Sequence, residues 1–157
     1  MTEQQSPQDR LAALGLTLPD VVPPVAAYVP ALRVGSLVYT SGQLPVAGGQ
    51  LQATGKVGAE VGATEARALA QTSALNALAA AASVAGGLNA IKRIVKMTGF
   101  VASAPDFTAQ PQVVNGASEL LLEVFGEAGK HARSAVGVAS LPLDAPVEIE
   151  LIVEVGD

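Results

Sequence analysis

From Tyr28 to Ser41 the chain is apolar and rich in β-branched residues, interrupted at Gly35-Ser36. This predicts a hairpin of Ala31–Val34 with Leu37–Ser41. Pro45 and Gly48-Gly49 close it, and the Gly-rich, weakly patterned residues 50–63 read as loop with one short strand. Thr64 can cap a helix with Glu65 in its first turn, and Ala68, Thr72, Leu75, Ala79 and Ala82 then recur at helical spacing until Gly86-Gly87. Ile91–Ser103 is β-rich and long for one strand, with Gly99 marking a bulge or a close approach. Pro111 suits the first turn of a second helix, whose stripe of Val113, Ala117, Leu120, Leu121 and Val124 ends near Gly126 and Gly129. Ser134–Ser140 and Val147–Val155 are strands around the turn Leu141-Pro142-Leu143-Asp144. In the last, Val147, Ile149, Leu151, Val153 and Val155 alternate with Glu148, Glu150, Ile152 and Glu154. Ahead of all this, residues 1–27 hold a short helical patch (Arg10–Leu14, stopped by Gly15) followed by Pro19, Pro23 and Pro24. They form a lead-in arm lying across a domain of residues 28–157.

The order β-β, α, β, α, β-β is that of an α+β fold in which two helices cover only one face of a mixed sheet. On the other face, Leu37, Tyr39, Val136 and Val138 alternate with Val34, Val38, Ala135 and Ala139, so few strands keep a polar side. That face is expected to pack on neighbours in a homo-oligomer. Composition points the same way. Charged residues make up 15% of the 157, against a norm of about a quarter, which leaves apolar surface for another subunit. With no Trp, two Tyr and three Phe, the single core must be built from Ala, Val and Leu.

Several function classes fall away. A net charge of −5 and the lack of an aromatic platform argue against a nucleic-acid surface. Lys92, Arg93 and Lys96, the only basic group, read as a solvated edge with Arg93 on the opposite strand face from the other two. The absence of cysteine removes disulfides, thiolate catalysis and cysteine metal sites, and fits a reducing, cytoplasmic setting. The one histidine, His131, leaves no His-rich metal site, and beside Lys130 it reads as an exposed loop residue. The polar start of the chain is unlike an export signal. The Ala-rich run Ala66–Ala85 is interrupted by Arg67, Gln71, Thr72 and Asn76, and reads as a core helix rather than a membrane span.

Two segments carry a specific resemblance. One is Tyr28 followed by Val34-Gly35-Ser36-Leu37-Val38-Tyr39-Thr40-Ser41-Gly42-Gln43-Leu44-Pro45. The other is Arg133-Ser134-Ala135-Val136-Gly137-Val138, then Leu141-Pro142 and Val147-Glu148-Ile149-Glu150. Both resemble the Rid family, also called YjgF or L-PSP endoribonuclease-like proteins. Asn76 and Asn115 also sit where members commonly carry Asn, and the arm together with Gly99-Phe100-Val101-Ala102-Ser103-Ala104-Pro105-Asp106-Phe107 resembles a longer subgroup. The resemblance implies a chorismate-mutase-like fold, a homotrimer with its sheets around a central barrel, and clefts between subunits. It also implies cofactor-free hydrolysis of reactive 2-imino acids and enamines to 2-keto acids and ammonia. A non-catalytic trimer that binds a small carboxylate is the alternative, with an endoribonuclease behind both.

On the residues alone, Arg133 is equally a solvated side chain at a strand start or the partner of an acid such as Glu148. The resemblance makes it the anchor of a substrate carboxylate, a task that suits a planar guanidinium fork. Glu148 then becomes the residue that orients or deprotonates a water, although Glu150 and Glu154 share its face. Tyr28 could wall the pocket and Ser41 could donate a hydroxyl, or both could be ordinary hairpin packing; Asn115 could hydrogen-bond into the cleft or cap local backbone; and the backbone carbonyl at Ala135 could hold water. Where many members have Cys two residues after the Arg, this chain has Ala135, and where many read Gly-Pro-Tyr-Ser it has Ala26-Ala27-Tyr28-Val29-Pro30.

Overall fold

The chain enters through α1 (Pro7–Ala13), fixed by a capping box in which the Ser6 hydroxyl accepts from the Asp9 amide and the Asp9 carboxylate accepts from the Ser6 amide. A computed structural model describes residues 4–24 and 26–156. The helix lies three residues upstream of the expected Arg10–Leu14, because Pro7 starts it and the Ser6 box outweighs the apolar cue. Its Leu11 is fully buried in the same core as the sheet, so the arm is packed onto the domain.

Strands β1 (Ala31–Val34) and β2 (Leu37–Thr40) form the expected hairpin, turning at Gly35, whose φ of 61° a side chain rarely adopts. A two-stranded ribbon follows, β3 (Val46–Ala47) with β4 (Gln50–Leu51). Then come α2 (Ala63–Ala85), β5 (Ile91–Ala102), α3 (Gln110–Phe125), β6 (Ala132–Val138) and β7 (Val147–Val155). The sheet order is β1-β2-β7-β5-β6, with β5 and β6 parallel and every other pair antiparallel. This is the mixed sheet of an α+β fold, with α2 and α3 on one face.

Why the helices seat so closely is visible at two glycines. A methyl group on Gly116 of α3 would collide with the Arg67 carbonyl of α2, and one on Gly99 of β5 would lie 2.6 Å from Val114 Cγ2 of α3. The stripe expected for α3 is the buried one. That expected for α2 is buried only in its last part: Ala79 and Ala82 are buried, but Ala68 is exposed and Thr72 and Leu75 only half-buried, while Ala66, Leu69, Ala70, Ser73, Ala74, Ala77 and Leu78 form the buried side earlier in the helix. Alanine on every side of α2 gives the sequence no contrast from which to read a face. By length and composition α2 could cross a membrane, but 67% of its most apolar stretch is buried inside the protein.

β5 departs from simple alternation. Ile91, Ile94 and Met97 are buried at every third position, and register shifts fall between Ile91 and Arg93 and between Ile94 and Lys96. Lys92, Arg93 and Lys96 are consequently all exposed, in place of the expected split between two faces. β6 begins at Ala132 rather than Ser134, which puts Arg133 inside a strand.

The sheet face away from the helices is open. Leu32 is 57% exposed, Val34 60% and Tyr39 44%, and Val136 lies exposed on the far edge strand. Val34 joins this face, instead of opposing Leu37 and Tyr39, because the tight turn pairs it directly with Leu37.

Candidate active site

The expected site residues fall into two groups on opposite faces of the sheet. Arg133 pairs in register with Met97 and Met97 with Leu151, all on the helix-covered side. Glu148 pairs with Phe100 on the other side. The reading that joins Arg133 to Glu148 as an ion pair within one protomer is therefore overturned: side chains from opposite pleats cannot meet.

Around Arg133 the partners are all neutral. Its Nη1 donates to Asn115 Oδ1 at 2.9 Å and to Ser118 Oγ at 3.1 Å, and its Nη2 donates to the Pro111 carbonyl at 3.3 Å. Pro111, Asn115 and Ser118 follow one another along one edge of α3, at spacings that keep them on a single side of the helix. Three of the five guanidinium donors are thus engaged, leaving Nε and one hydrogen of Nη2. Among the described residues no carboxylate forms a salt bridge with Arg133. It is a half-buried cation, held in place and lacking a counter-charge. Asn115 accepts from Arg133 through its Oδ1 and so orients the guanidinium. Ser118 went unrecognised in the sequence, and its place three residues after Asn115 on a helix was the available signal. His131, expected to be exposed, is half-buried and bonded to Ser118.

The second group surrounds a cleft of about 510 Å³ whose walls include Pro23, Pro24, Tyr28, Leu44, Pro142 and Glu148. Gln43 extends the sheet by pairing with Ile149 in both directions, at 2.8 and 3.0 Å, which lays the Ser41-Gly42-Gln43 segment beside Glu148. The approach is close: a methyl on Gly42 would lie 2.6 Å from Glu148 Oε1 and push the carboxyl aside. The buried Asn76 of α2 holds the far side of this loop, its amide donating to the carbonyls of Leu44 (3.1 Å) and Val46 (2.9 Å). Tyr28 lines the cleft as expected. The Ser41 hydroxyl, expected to donate to a ligand, donates to the Val29 carbonyl at 2.6 Å and so braces the base of the hairpin.

Burial, reinforced by the nearby Glu150 carboxylate, pushes the Glu148 carboxyl above its ordinary range. An acid poised closer to neutrality is suited to exchange protons with water. Ala135 sits on β6, the edge strand, whose outer row of backbone groups has no partner strand in the sheet. Among the described residues there is no cluster of three or more acidic or histidine side chains that could hold a metal.

This mixed sheet backed by two helices defines an α+β protein of the YjgF/chorismate mutase-like class. The family model described as "YjgF/chorismate_mutase-like, putative endoribonuclease" matches residues 8–155. The chain belongs to the Rid/YjgF family. It is 44% identical to Protein TCP17 of Trypanosoma cruzi over 94% of this chain and 92% of that one. It is 35% identical to the 2-iminobutanoate/2-iminopropanoate deaminase of Escherichia coli, over 82% of this chain and 87% of that protein. Among solved structures it resembles Atu1372 of Agrobacterium tumefaciens with a TM-score of 0.88 and 48% identity, covering 96% of this chain and 92% of that one.

Proposed function

We propose that this protein hydrolyses reactive 2-imino acids and their enamine tautomers to 2-keto acids and ammonia, in clefts between the protomers of a homotrimer. The observation that carries the reading is Arg133: a positioned guanidinium with donors to spare and no carboxylate of its own. The missing partner is the carboxylate of the substrate. The raised pKa of Glu148 and the relationship to a 2-iminobutanoate deaminase support it further.

Because Arg133 and Glu148 lie on opposite faces of one sheet, the cleft that uses both is formed by two protomers. The exposed Leu32, Val34, Tyr39 and Val136 supply an apolar face for that association. In the assembled cleft Arg133 grips the carboxylate and Tyr28 flanks the side chain. Glu148 takes a proton from a water also held by the Ala135 carbonyl. The water oxygen bonds to the C=N carbon, and the proton passes to nitrogen. The carbinolamine's hydroxyl proton then passes by way of Glu148 to the amino nitrogen; the C=O bond forms as the C–N bond breaks, releasing ammonia and leaving the keto acid. The imine is already electrophilic, so holding it beside one oriented water supplies most of the acceleration.

Added to an amino-acid oxidase reaction that generates 2-imino acids, the protein is expected to hasten ammonia release. Arg133→Ala should abolish this through loss of a charged hydrogen-bond anchor worth about 1.5 to 3 kcal/mol of binding. No acceleration with any imine tested would overturn the proposal. Binding of 2-ketobutyrate at an Arg133-dependent site without turnover would point instead to a carboxylate-binding trimer. RNA cleavage lost on changing Arg133 or Glu148 would point to a nuclease, a reading that the net charge of −5 disfavours.

A further inference from the structure

The Arg133 guanidinium is the end of a hydrogen-bond chain that runs past its immediate partners. Ser118 Oγ, which accepts from Arg133 Nη1 at 3.1 Å, lies 2.9 Å from His131 Nε2. On the other side of the ring, His131 Nδ1 is 2.6 Å from the Gly129 carbonyl. A carbonyl only accepts, so in the neutral ring the proton sits on Nδ1 and Nε2 is left with a lone pair. Ser118 then has one place for its own hydrogen, on Nε2, and that turns a hydroxyl lone pair towards Arg133. Every member of the chain is satisfied in a single direction: Arg133 to Ser118, Ser118 to His131, His131 to Gly129.

We infer that Ser118 and His131 are positioning residues, a two-member brace that holds the Arg133 fork ready for the carboxylate of a 2-keto or 2-imino acid. A hydroxyl on its own rotates freely and offers Arg133 a lone pair only part of the time. His131 removes that freedom, and the backbone carbonyl of Gly129 removes the freedom of His131 in turn. Gly129 is itself packed so closely on α3 that a methyl group there would lie 2.3 Å from the Leu121 carbonyl oxygen. Asn115 and Ser118 together engage both hydrogens of Nη1, leaving the free donors on Nε and Nη2. A fork fixed before the ligand arrives loses less freedom on binding than one that must be ordered by it. Neither Ser118 nor His131 needs to touch the substrate for this.

The inference rests on Arg133 being the carboxylate anchor proposed above, so the experiment reads both. Titration calorimetry with 2-ketobutyrate would be run on the full chain and on Arg133→Ala, Ser118→Ala, Ser118→Thr and His131→Ala, each checked for an unchanged melting transition. Ser118→Ala and His131→Ala should each weaken 2-ketobutyrate about fivefold, the loss of one net hydrogen bond. In turnover they should raise KM by a similar factor with little change in kcat, and Ser118→Thr, which keeps the hydroxyl, should restore native binding. If Arg133→Ala loses binding while Ser118→Ala and His131→Ala bind as the native protein does, the brace is refuted and the anchor stands. If Arg133→Ala itself binds normally, the anchor falls and the brace with it.

Discussion

Glu148 behind Gly42 is a weaker acid in the folded chain than in the unfolded one, because burial and the Glu150 carboxylate both disfavour its charge. The sign follows from proton counting. Between the ordinary value of 4.5 and the raised folded one, the native state holds more proton than the unfolded state, so stability falls as pH rises through that window. Glu148→Gln removes this loss. Denaturant titrations from about pH 4 upward should show the native protein losing stability relative to Glu148→Gln until the carboxyl is fully ionised, after which the gap stays constant. Parallel curves throughout would mean the carboxyl is not perturbed. At this scale the sequence was readable where chemistry and spacing coincide. The alternation of the last strand placed Glu148 on the face opposite Ile149, whereas Arg133 was marked out only by the resemblance, since the residues alone allowed a solvated side chain or an acid partner. The contact of Ser118 with His131 was not readable, because it depends on how the segment around Gly129 folds back on α3, which no local pattern states.

The elements were legible to the degree that their two faces differ. In α3 a stripe of Val and Leu against Gln, Asn, Ser and Glu fixed the buried side, and β7 did the same by strict alternation. In α2 the face was set by its partners instead: the side turned to the sheet and α3 is the one that can approach closely, and alanine permits any of them. Close approach is also where single changes act most strongly. Gly116 meets the backbone of Arg67, and backbone cannot step aside as a flexible side chain can. Gly116→Ala should therefore destabilise the protein by about 2 kcal/mol or more, through overpacking between the two helices. Thermal or chemical unfolding measures it, and a native-like midpoint would show that the α2–α3 seam can open. β5 shows the opposite limit of legibility. Its buried positions at every third residue match neither a simple strand nor a helix, and the two bulges that produce them are properties of its pairing with β7.

At the scale of the whole molecule, the chain carries two separate groups of candidate residues, around Arg133 and around Glu148, and an uncovered apolar sheet face. The helix-covered side presents Arg133 on the edge strand, with its spare donors. The opposite side presents Glu148 in a cleft walled partly by the arm, at Pro23 and Pro24, and partly by the turn at Pro142. Counting helices against strands anticipated the uncovered face, since two helices cannot cover both sides of a sheet. That Arg133 and Glu148 lie on opposite pleats is not legible in the sequence, because it depends on the register between β5, β6 and β7 rather than on any residue's type. A shared cleft between protomers makes a demand that no single-chain site does. Arg133→Ala and Glu148→Gln, each expected to be inactive alone, would be unfolded together, refolded as a mixture and assayed for ammonia release from 2-imino acids. If each cleft draws Arg133 from one protomer and Glu148 from its neighbour, random association leaves about a quarter of the clefts with both native residues, and a matching share of activity returns. A mixture as inactive as either variant, with mixed assemblies demonstrably formed, would contradict the shared cleft.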